Sequence, residues 1–488
     1  MEEKLKLDYK KTILIGFGFM ATSIVWQIYD PYITKILNEM LSNSELIARW
    51  SATLAERYPI LLEFLKAQGE KVDTAGGFTL VPLFIGIIMT FDNIFGVIFQ
   101  PALGKLSDRT HTRLGKRRPY ILVGAPISAL LFALIPWMFV KFNSLPGLMI
   151  CIILFVFVMS TWRAPVVALM PDLTPPELRS EGNAVINLCG GVGGFIGMIS
   201  GTILSIIFGL IYGKDNFTEQ QTYPYVFLLG SVVMIICTLV LFFFVKEPDS
   251  RIKAKADANM ALEEEKKLKE EKKKKLKEMK LSKAERKSLI FMLFGLFFLF
   301  CSANAITTFF ALFAAEILGK TTAQATLMMA VFLVCSMLMA IPAGKLGHKY
   351  GRKKTILAGL FIFIGIFLVY LVSYLITGKN WAIWLALVFG GAANMMITVN
   401  TLPLVLEIGG VERIGTFTGY YYTATFSAQI AAPIIYGAVR MFTGTYLSLF
   451  VYCPIAFLLA ILCISMVKHG EAIPAEELKK IQAEVDAD

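Results

Sequence analysis

The sequence predicts an all-α membrane protein: twelve transmembrane helices in two six-helix bundles, with both termini on the cytoplasmic side. Three observations carry this prediction. Of the 488 residues 56% are hydrophobic and 17% charged, the latter well under the roughly 25% usual in a soluble domain, and the mean hydropathy is +0.65. Apolar runs of about 20 residues, each able to cross roughly 30 Å of hydrocarbon, recur along the whole chain. A loop pattern in the first half returns in the second at a nearly constant offset.

The runs occupy 12–37, 78–103, 119–140, 146–171, 182–211, 223–245, 288–318, 322–346, 355–377, 380–405, 415–437 and 443–467. Lipid offers an open backbone no hydrogen-bond partner, so the spans are helices or barrel strands, and runs this long and continuous are helices. The first follows Lys4, Lys6, Lys10 and Lys11 but is too long for a signal-peptide core and has no small-residue cleavage site, so it reads as a retained helix. Lys105, Arg109, Arg113, Lys116, Arg117 and Arg118 face Asp108 alone between spans 2 and 3, whereas 38–77 holds more acids than bases. The positive-inside bias therefore puts both ends in the cytoplasm.

This division gives a first bundle over 1–245, a charged cytoplasmic linker over 246–287, a second bundle over 288–467 and a cytoplasmic tail over 468–488. The linker, with Glu263-Glu264-Glu265 and Lys272-Lys273-Lys274-Lys275, reads as a solvated helix or tether, or as a contact with acidic lipid. In the outer loop 38–77, Leu46, Ile47, Trp50 and Leu54 approach helical spacing, which predicts a helix at the outer membrane surface or a small extracellular cap. The net charge of +11 sits in loops beside the anionic inner leaflet, so it indicates membrane lipid and not nucleic acid. Seven cysteines in or near spans, with no C-x-x-C pattern, read as buried free thiols.

Gly104-Lys105-Leu106-Ser107-Asp108-Arg109 follows span 2, and Gly344-Lys345-Leu346-Gly347-His348-Lys349-Tyr350-Gly351-Arg352-Lys353-Lys354 follows span 8, an offset of 344 minus 104, or 240. Asp172 and Arg179 after span 4 are echoed by Glu407 and Arg413 after span 10, where 407 minus 172 gives 235. Parallel six-helix repeats of this kind point to alternating access about a site near the midplane. The loop Gly104-x-x-Ser107-Asp108-Arg109, continuing through Arg113 and Gly115 to Lys116-Arg117-Arg118-Pro119 and preceded by Gln100-Pro101, resembles the signature of the major facilitator superfamily. Its stretched form is similar to that of the proton-coupled sucrose transporters of solute-carrier family 45, and more distantly of the glycoside-pentoside-hexuronide cation symporters. A second block agrees: Arg163-Ala164, Ala168-Leu169-x-x-Asp172-Leu173-Thr174, Arg179 and Asn183-Ala184. The paired span-2 aspartates of the sodium-coupled melibiose-type symporters align with Gly96 and Gln100, which speaks against sodium and for protons.

The resemblance implies that spans 1, 4, 7 and 10 line a cavity while 3, 6, 9 and 12 stand outside. The cores of the latter hold no Asp, Glu, Lys or Arg, whereas Asp30, Arg163, Asn304 and Asn394 lie in the former. An ionisable group at mid-bilayer costs at least about 2.5–3.5 kcal/mol on insertion scales, so its presence demands a pathway, partner or cavity. Asp92 and Arg163 lie at nearly matching depths, roughly 21 and 25 Å from the outer side, which predicts a pair that either responds to protons or statically staples two helices. Asp172, nine residues past Arg163, falls on the opposite helix face. Asp30, before Pro31, either meets entering solute or caps span 1, while Glu316 reads as an interfacial anchor.

Sugar recognition needs planar polar groups for hydroxyls and aromatic faces for the ring. The candidates are Trp26, Gln27, Asn304, Thr308, Asn394, Asn400, Tyr421 and Gln429, although amides and hydroxyls also join helices together in lipid. Gly193, Gly197 and Gly201 mark one helix face for close packing. By resemblance, Asp108, Arg109, Asp172, Arg179, Glu407 and Arg413 form a cytoplasmic latch, with Gly104 letting the halves pack closely. His348, where the second copy should hold an acid, speaks against a symmetric latch.

Gly319-Lys320-Thr321 has Ala314 where a phosphate-binding loop requires Gly, and His111, His348 and His469 all lie outside the spans. The sequence therefore calls for neither an ATP-driven pump nor an enzyme, and for no metal or cofactor. The expected activity is symport of a sugar or glycoside with protons by a monomer in the cell membrane. Export of a drug-like or lipid-like compound, and a transport-inactive receptor of the same fold, are the alternatives.

Overall fold

The computed structural model describes residues 7–60, 79–175, 178–213, 216–247, 282–409 and 414–469. The described residues form helices and no strand: α1 Tyr9–Ser42, α2 Glu45–Arg57, α3 Val81–Ile88, α4 Phe91–Asp108, α5 Arg118–Val140, α6 Leu145–Leu173, α7 Arg179–Tyr212, α8 Glu219–Phe244, α9 Lys283–Ile317, α10 Thr322–Tyr350, α11 Arg352–Thr377, α12 Ile383–Gly409, α13 Ile414–Thr443 and α14 Leu449–Ser465. Most of the expected linker, the tail from 470 onward and Arg413 lie outside the described residues, as do 61–78 of the outer loop.

Eleven helical segments among the described residues are long and apolar enough to cross a membrane. The remaining expected span, α13, is 30 residues long. It carries Thr416, Thr418, Thr423, Thr425, Ser427, Gln429 and Arg440, which lower its hydropathy below that of a lipid-facing span. Its length is that of the other spans, although its apolarity is not.

The chain forms two compact units, Met1–Ile36 with Phe91–Lys280, and Leu37–Thr90 with Leu281–Asp488. Residues 37–90, expected in the first bundle, thus cluster with the second. The physical reason lies in span 2, which is not one helix. Thr90 turns its hydroxyl back to the Ile87 carbonyl at 2.7 Å and its amide to the same oxygen at 3.2 Å, ending α3 before α4 begins at Phe91. The short α3 then packs on α13: a Cβ on Gly437 would stand 2.5 Å from the Pro82 carbonyl, and one on Gly86 would collide with the Pro433 carbonyl.

The helix expected within 38–77 is present as α2. It turns Ile47, Ser51 and Ala55 inward at intervals of four residues and leaves Leu46 and Trp50 about half exposed. Ser51 Oγ accepts the Leu80 amide at 3.1 Å, and Ala55 packs against Met441 of α13.

In the first unit the glycine face of α7 meets α1 at backbone distance. A Cβ on Gly193 would lie 2.6 Å from the Met20 carbonyl, one on Gly197 2.8 Å from that of Ile24, and one on Gly190 3.1 Å from Ser23 Oγ. In lipid, where apolar side chains gain little by leaving the solvent, such close approach is a main source of helix association. All seven cysteines are unpaired thiols. Gly197→Leu is expected to overpack this contact at a cost of about 1–3 kcal/mol, read as a clear drop in melting temperature in detergent, whereas Gly365→Leu, where a Cβ would meet nothing within 4 Å, should melt like the unmutated protein.

Candidate functional site

Charge inside the first unit converges on one place. Asp30 lies in α1, Asp92 in the first turn of α4 and Arg163 in α6, and the three are close enough to interact electrostatically. The break in span 2 sets Asp92 at a helix N-terminus, where the aligned peptide dipoles favour a carboxylate, and Asn93 Nδ2 donates to its Oδ1 at 2.9 Å. Asp30 is no helix cap, because α1 runs through Pro31 to Ser42. Pro31 instead removes the N–H that the Gln27 carbonyl would accept in an unbroken helix.

Among the described residues no direct ion pair joins Arg163 to either carboxylate, so the expected Asp92–Arg163 contact is not formed. The guanidinium lies 5.7 Å from the centre of the Trp26 ring, one turn before Asp30. Trp26 stands edge-on to Tyr29 at 5.3 Å and near Phe155 at 6.1 Å, and its indole Nε1 has no hydrogen-bond partner among the described residues. Two carboxylates therefore face one guanidinium beside an indole donor that awaits an acceptor.

The other expected solute contacts divide. Gln27 packs beside Gly197. In the second unit Asn304 donates to the Phe300 carbonyl of its own helix at 2.7 Å, and Thr308 is buried. Tyr421 reaches Thr401 at 3.5 Å, and Gln429 is half-buried on α13. Asn400 is committed to packing: it donates to the Ala343 carbonyl at 3.2 Å and the Met396 carbonyl at 2.9 Å, bracing α12 on α10 where Gly347 leaves room for it. Asn394 lines an apolar cavity among α9, α10, α11, α12 and α14.

At the loop between α4 and α5 the hub is Arg117, not Arg109. Arg117 is buried. It donates from Nε to Asp172 Oδ2 at 2.9 Å, from Nη2 to Asp108, and from Nη1 to Ser107 and the Gly104 carbonyl. Burial disfavours its charge, but Asp172 and Asp108 outweigh that and hold its pKa above the usual arginine value. Arg109 and Arg113 are exposed; α7 opens at Arg179. Gly104 serves through its carbonyl, since a Cβ there would meet nothing within 4 Å. Gln100 folds back on Gly96 one turn earlier, and Pro101 lies exposed within α4.

Glu247, at the foot of α8, falls in the stretch 246–287 that the sequence assigns to the linker. Its carboxylate accepts the backbone amides of Arg117 at 2.9 Å and Arg118 at 3.2 Å, capping α5 from another helix. Gly115, at φ +98°, leaves the space that this carboxylate fills. The available signal was an acid two residues past the end of the sixth apolar run, on the same side as the basic loop between spans 2 and 3. Arg118 lies over the Phe242 ring at 4.5 Å and donates to its carbonyl.

The second unit repeats the arrangement. Gly351, also at φ +98°, precedes Arg352, which pairs with Glu407. Both arginine–acid pairs are 55 residues apart in sequence, and 352 minus 117 reproduces the offset of 235. Gly351 alone links α10 to α11, where nine residues, 109–117, link α4 to α5. Gly344 sits in ordinary contact with Val399, and His348 stands where the first copy has Asp108, so among the described residues Arg352 pairs with one acid where Arg117 pairs with two.

The family model of the Major Facilitator Superfamily matches residues 12–433 and, in a second alignment, 292–484. The chain belongs to the Major Facilitator Superfamily. It is accordingly a multi-pass integral membrane transporter and not an enzyme. The sucrose transport protein SUC3 of Arabidopsis thaliana is 27% identical over 179 residues, covering 32% of this chain and 29% of that protein. The general alpha-glucoside permease of Schizosaccharomyces pombe is 25% identical over 174 residues, covering 33% of this chain and 30% of that one. The matched stretch thus spans under a third of either relative. The crystal structure of a D-xylose-proton symporter superposes with a TM-score of 0.64 at 15% identity, covering 95% of this chain and 98% of that one.

Burial raises the Glu247 pKa above its ordinary 4.5, against the opposing pull of the two amides. A carboxyl whose folded pKa is raised contributes stability that is present below its ordinary value and lost as pH rises through the raised one. Glu247→Gln keeps an acceptor for the amides and is expected to melt close to the unmutated protein, with a flatter decline from pH 5 to pH 8. Glu247→Ala orphans both amides and should melt several degrees lower at every pH, at a cost of about 1–3 kcal/mol.

Proposed function

We propose that this transporter carries a sugar or glycoside into the cell together with protons, by alternating access across the cell membrane, with twelve crossings and both ends in the cytoplasm. The observation that carries the proposal is the imbalance of charge around Trp26. With Asp30 and Asp92 both ionised against Arg163, the site holds one net negative charge, and enclosing a net charge in a low-dielectric interior is costly. One bound proton neutralises it. The proton-loaded site is therefore the form that closes most readily, and that preference is the coupling.

Asp92 already accepts the Asn93 amide at 2.9 Å and sits at a helix N-terminus, so Asp30 is the carboxylate proposed to take and release the proton. Trp26 supplies a flat apolar face for a sugar ring and an unpartnered Nε1 donor for a hydroxyl. The partial likeness to a sucrose transport protein and an alpha-glucoside permease supports a sugar or glycoside as the solute.

The test is uptake of labelled sucrose, maltose and glucosides into proteoliposomes, by counterflow and under an imposed proton gradient. Asp30→Asn is expected to retain counterflow yet lose gradient-driven accumulation by tenfold or more. Asp30→Asn and Asp92→Asn variants that both accumulate solute as well as the unmutated protein would remove this cluster from coupling, and an absence of counterflow for every glycoside would remove the sugar assignment.

A further inference from the structure

Inside the second unit, α9, α10, α11, α12 and α14 surround a cavity of about 150 Å³. Ile306, Phe310, Phe363 and Phe450 supply part of its apolar wall, and Thr307 and Asn394 are the polar residues that line it. The wall is ordered by ring contacts: Phe363 stacks on Phe457 at 5.0 Å, and Phe450 meets Phe367 at 4.9 Å.

The two polar groups differ in what they have left to offer. The Thr307 hydroxyl turns back to its own helix, donating to the Asn304 carbonyl at 3.1 Å. The side-chain amide of Asn394 enters no hydrogen bond among the described residues, although its backbone carbonyl accepts Thr398 at 2.9 Å. A stably held water needs two to four polar partners, and apolar cavities of about this volume stay dry and admit benzene-sized molecules. One free amide on a half-buried side chain is enough for a single polar substituent on an otherwise apolar ring.

We propose that this cavity binds a small aromatic compound carrying one hydroxyl or amino group, a phenol in the simplest case. The ring fills the aromatic-walled space in edge-to-face contacts with the phenylalanines, and the substituent hydrogen-bonds the Asn394 amide. The site lies wholly within the second unit, uses neither the charged cluster of α1, α4 and α6 nor the cytoplasmic latch, and is independent of the sugar assignment. Asn394 thereby acquires a partner of different chemistry from the sugar hydroxyl expected of it in the sequence.

Ligand-observed fluorine NMR on the purified full-length protein in detergent, with empty micelles as reference, tests this with 4-fluorophenol and fluorobenzene. The unmutated protein should bind both, 4-fluorophenol about three- to tenfold more tightly, the value of one hydrogen bond. Asn394→Leu, of similar volume, should still bind both while the preference falls to about one. Ala303→Leu, which grows into the cavity, should bind neither while still eluting as a single species. Should that variant not fold, Asn394→Leu decides alone. Binding no greater than to empty micelles, or a phenol preference that survives Asn394→Leu, overturns the proposal.

Discussion

Hydrocarbon supplies neither hydrogen-bond partners nor counter-ions, so every polar group carried into the spans must be met by protein, by water or by solute. Most of this protein's polar groups obey the rule locally. Thr and Ser hydroxyls turn back to carbonyls three or four residues earlier, as at Thr22, Thr34 and Ser160, and Asn400 spans two helices to satisfy its amide twice. Against that background the unmet groups are conspicuous. Two carboxylates share one guanidinium, the Trp26 indole lacks an acceptor, and the Asn394 amide faces an apolar cavity. These are the places where the proposals above put a proton or a ligand.

The loops that follow α4 and α10 show the opposite economy. Arg117 satisfies two acids, a hydroxyl and a carbonyl, and Glu247 fills the orphaned amides at the start of α5. A glycine at φ +98° in each half lets the chain turn into the next helix without a side chain in the way, a backbone region that other residues enter only with strain. The shared turn, with the equal spacing of Arg117 to Asp172 and Arg352 to Glu407, makes the two halves copies of one device. The longer first loop allows a second acid, Asp108, to join; the second passes from helix to helix through Gly351 alone.

Span 2 illustrates how a local irregularity organises a site. A continuous helix from 81 to 108 would have carried Asp92 mid-helix, with its backbone amides spent. The turn at Met89–Thr90 opens the ladder, places Asp92 in a fresh N-terminal turn and releases α3 to pack with α13. Apolarity is blind to this break, because the apolar run carries on across it from Val81 to Asp108.

The sequence by itself determined the helical membrane class, nearly every span, the internal repeat, the packing face at Gly193 and Gly197, and the acids Asp108, Asp172 and Glu407 of the arginine–acid pairs. Each of these rests on periodicity, run length or a charge within a short loop, and such information is local. The tertiary structure alone decided that Arg117 and not Arg109 is the hub, that Glu247 caps a helix 130 residues away, that Asp30 joins Asp92 and Arg163, that residues 37–90 cluster with the second unit, and that Asn400 braces helices while Asn394 does not. These depend on which way a side chain points and what another helix brings to meet it, and neither is encoded at a fixed spacing along the chain.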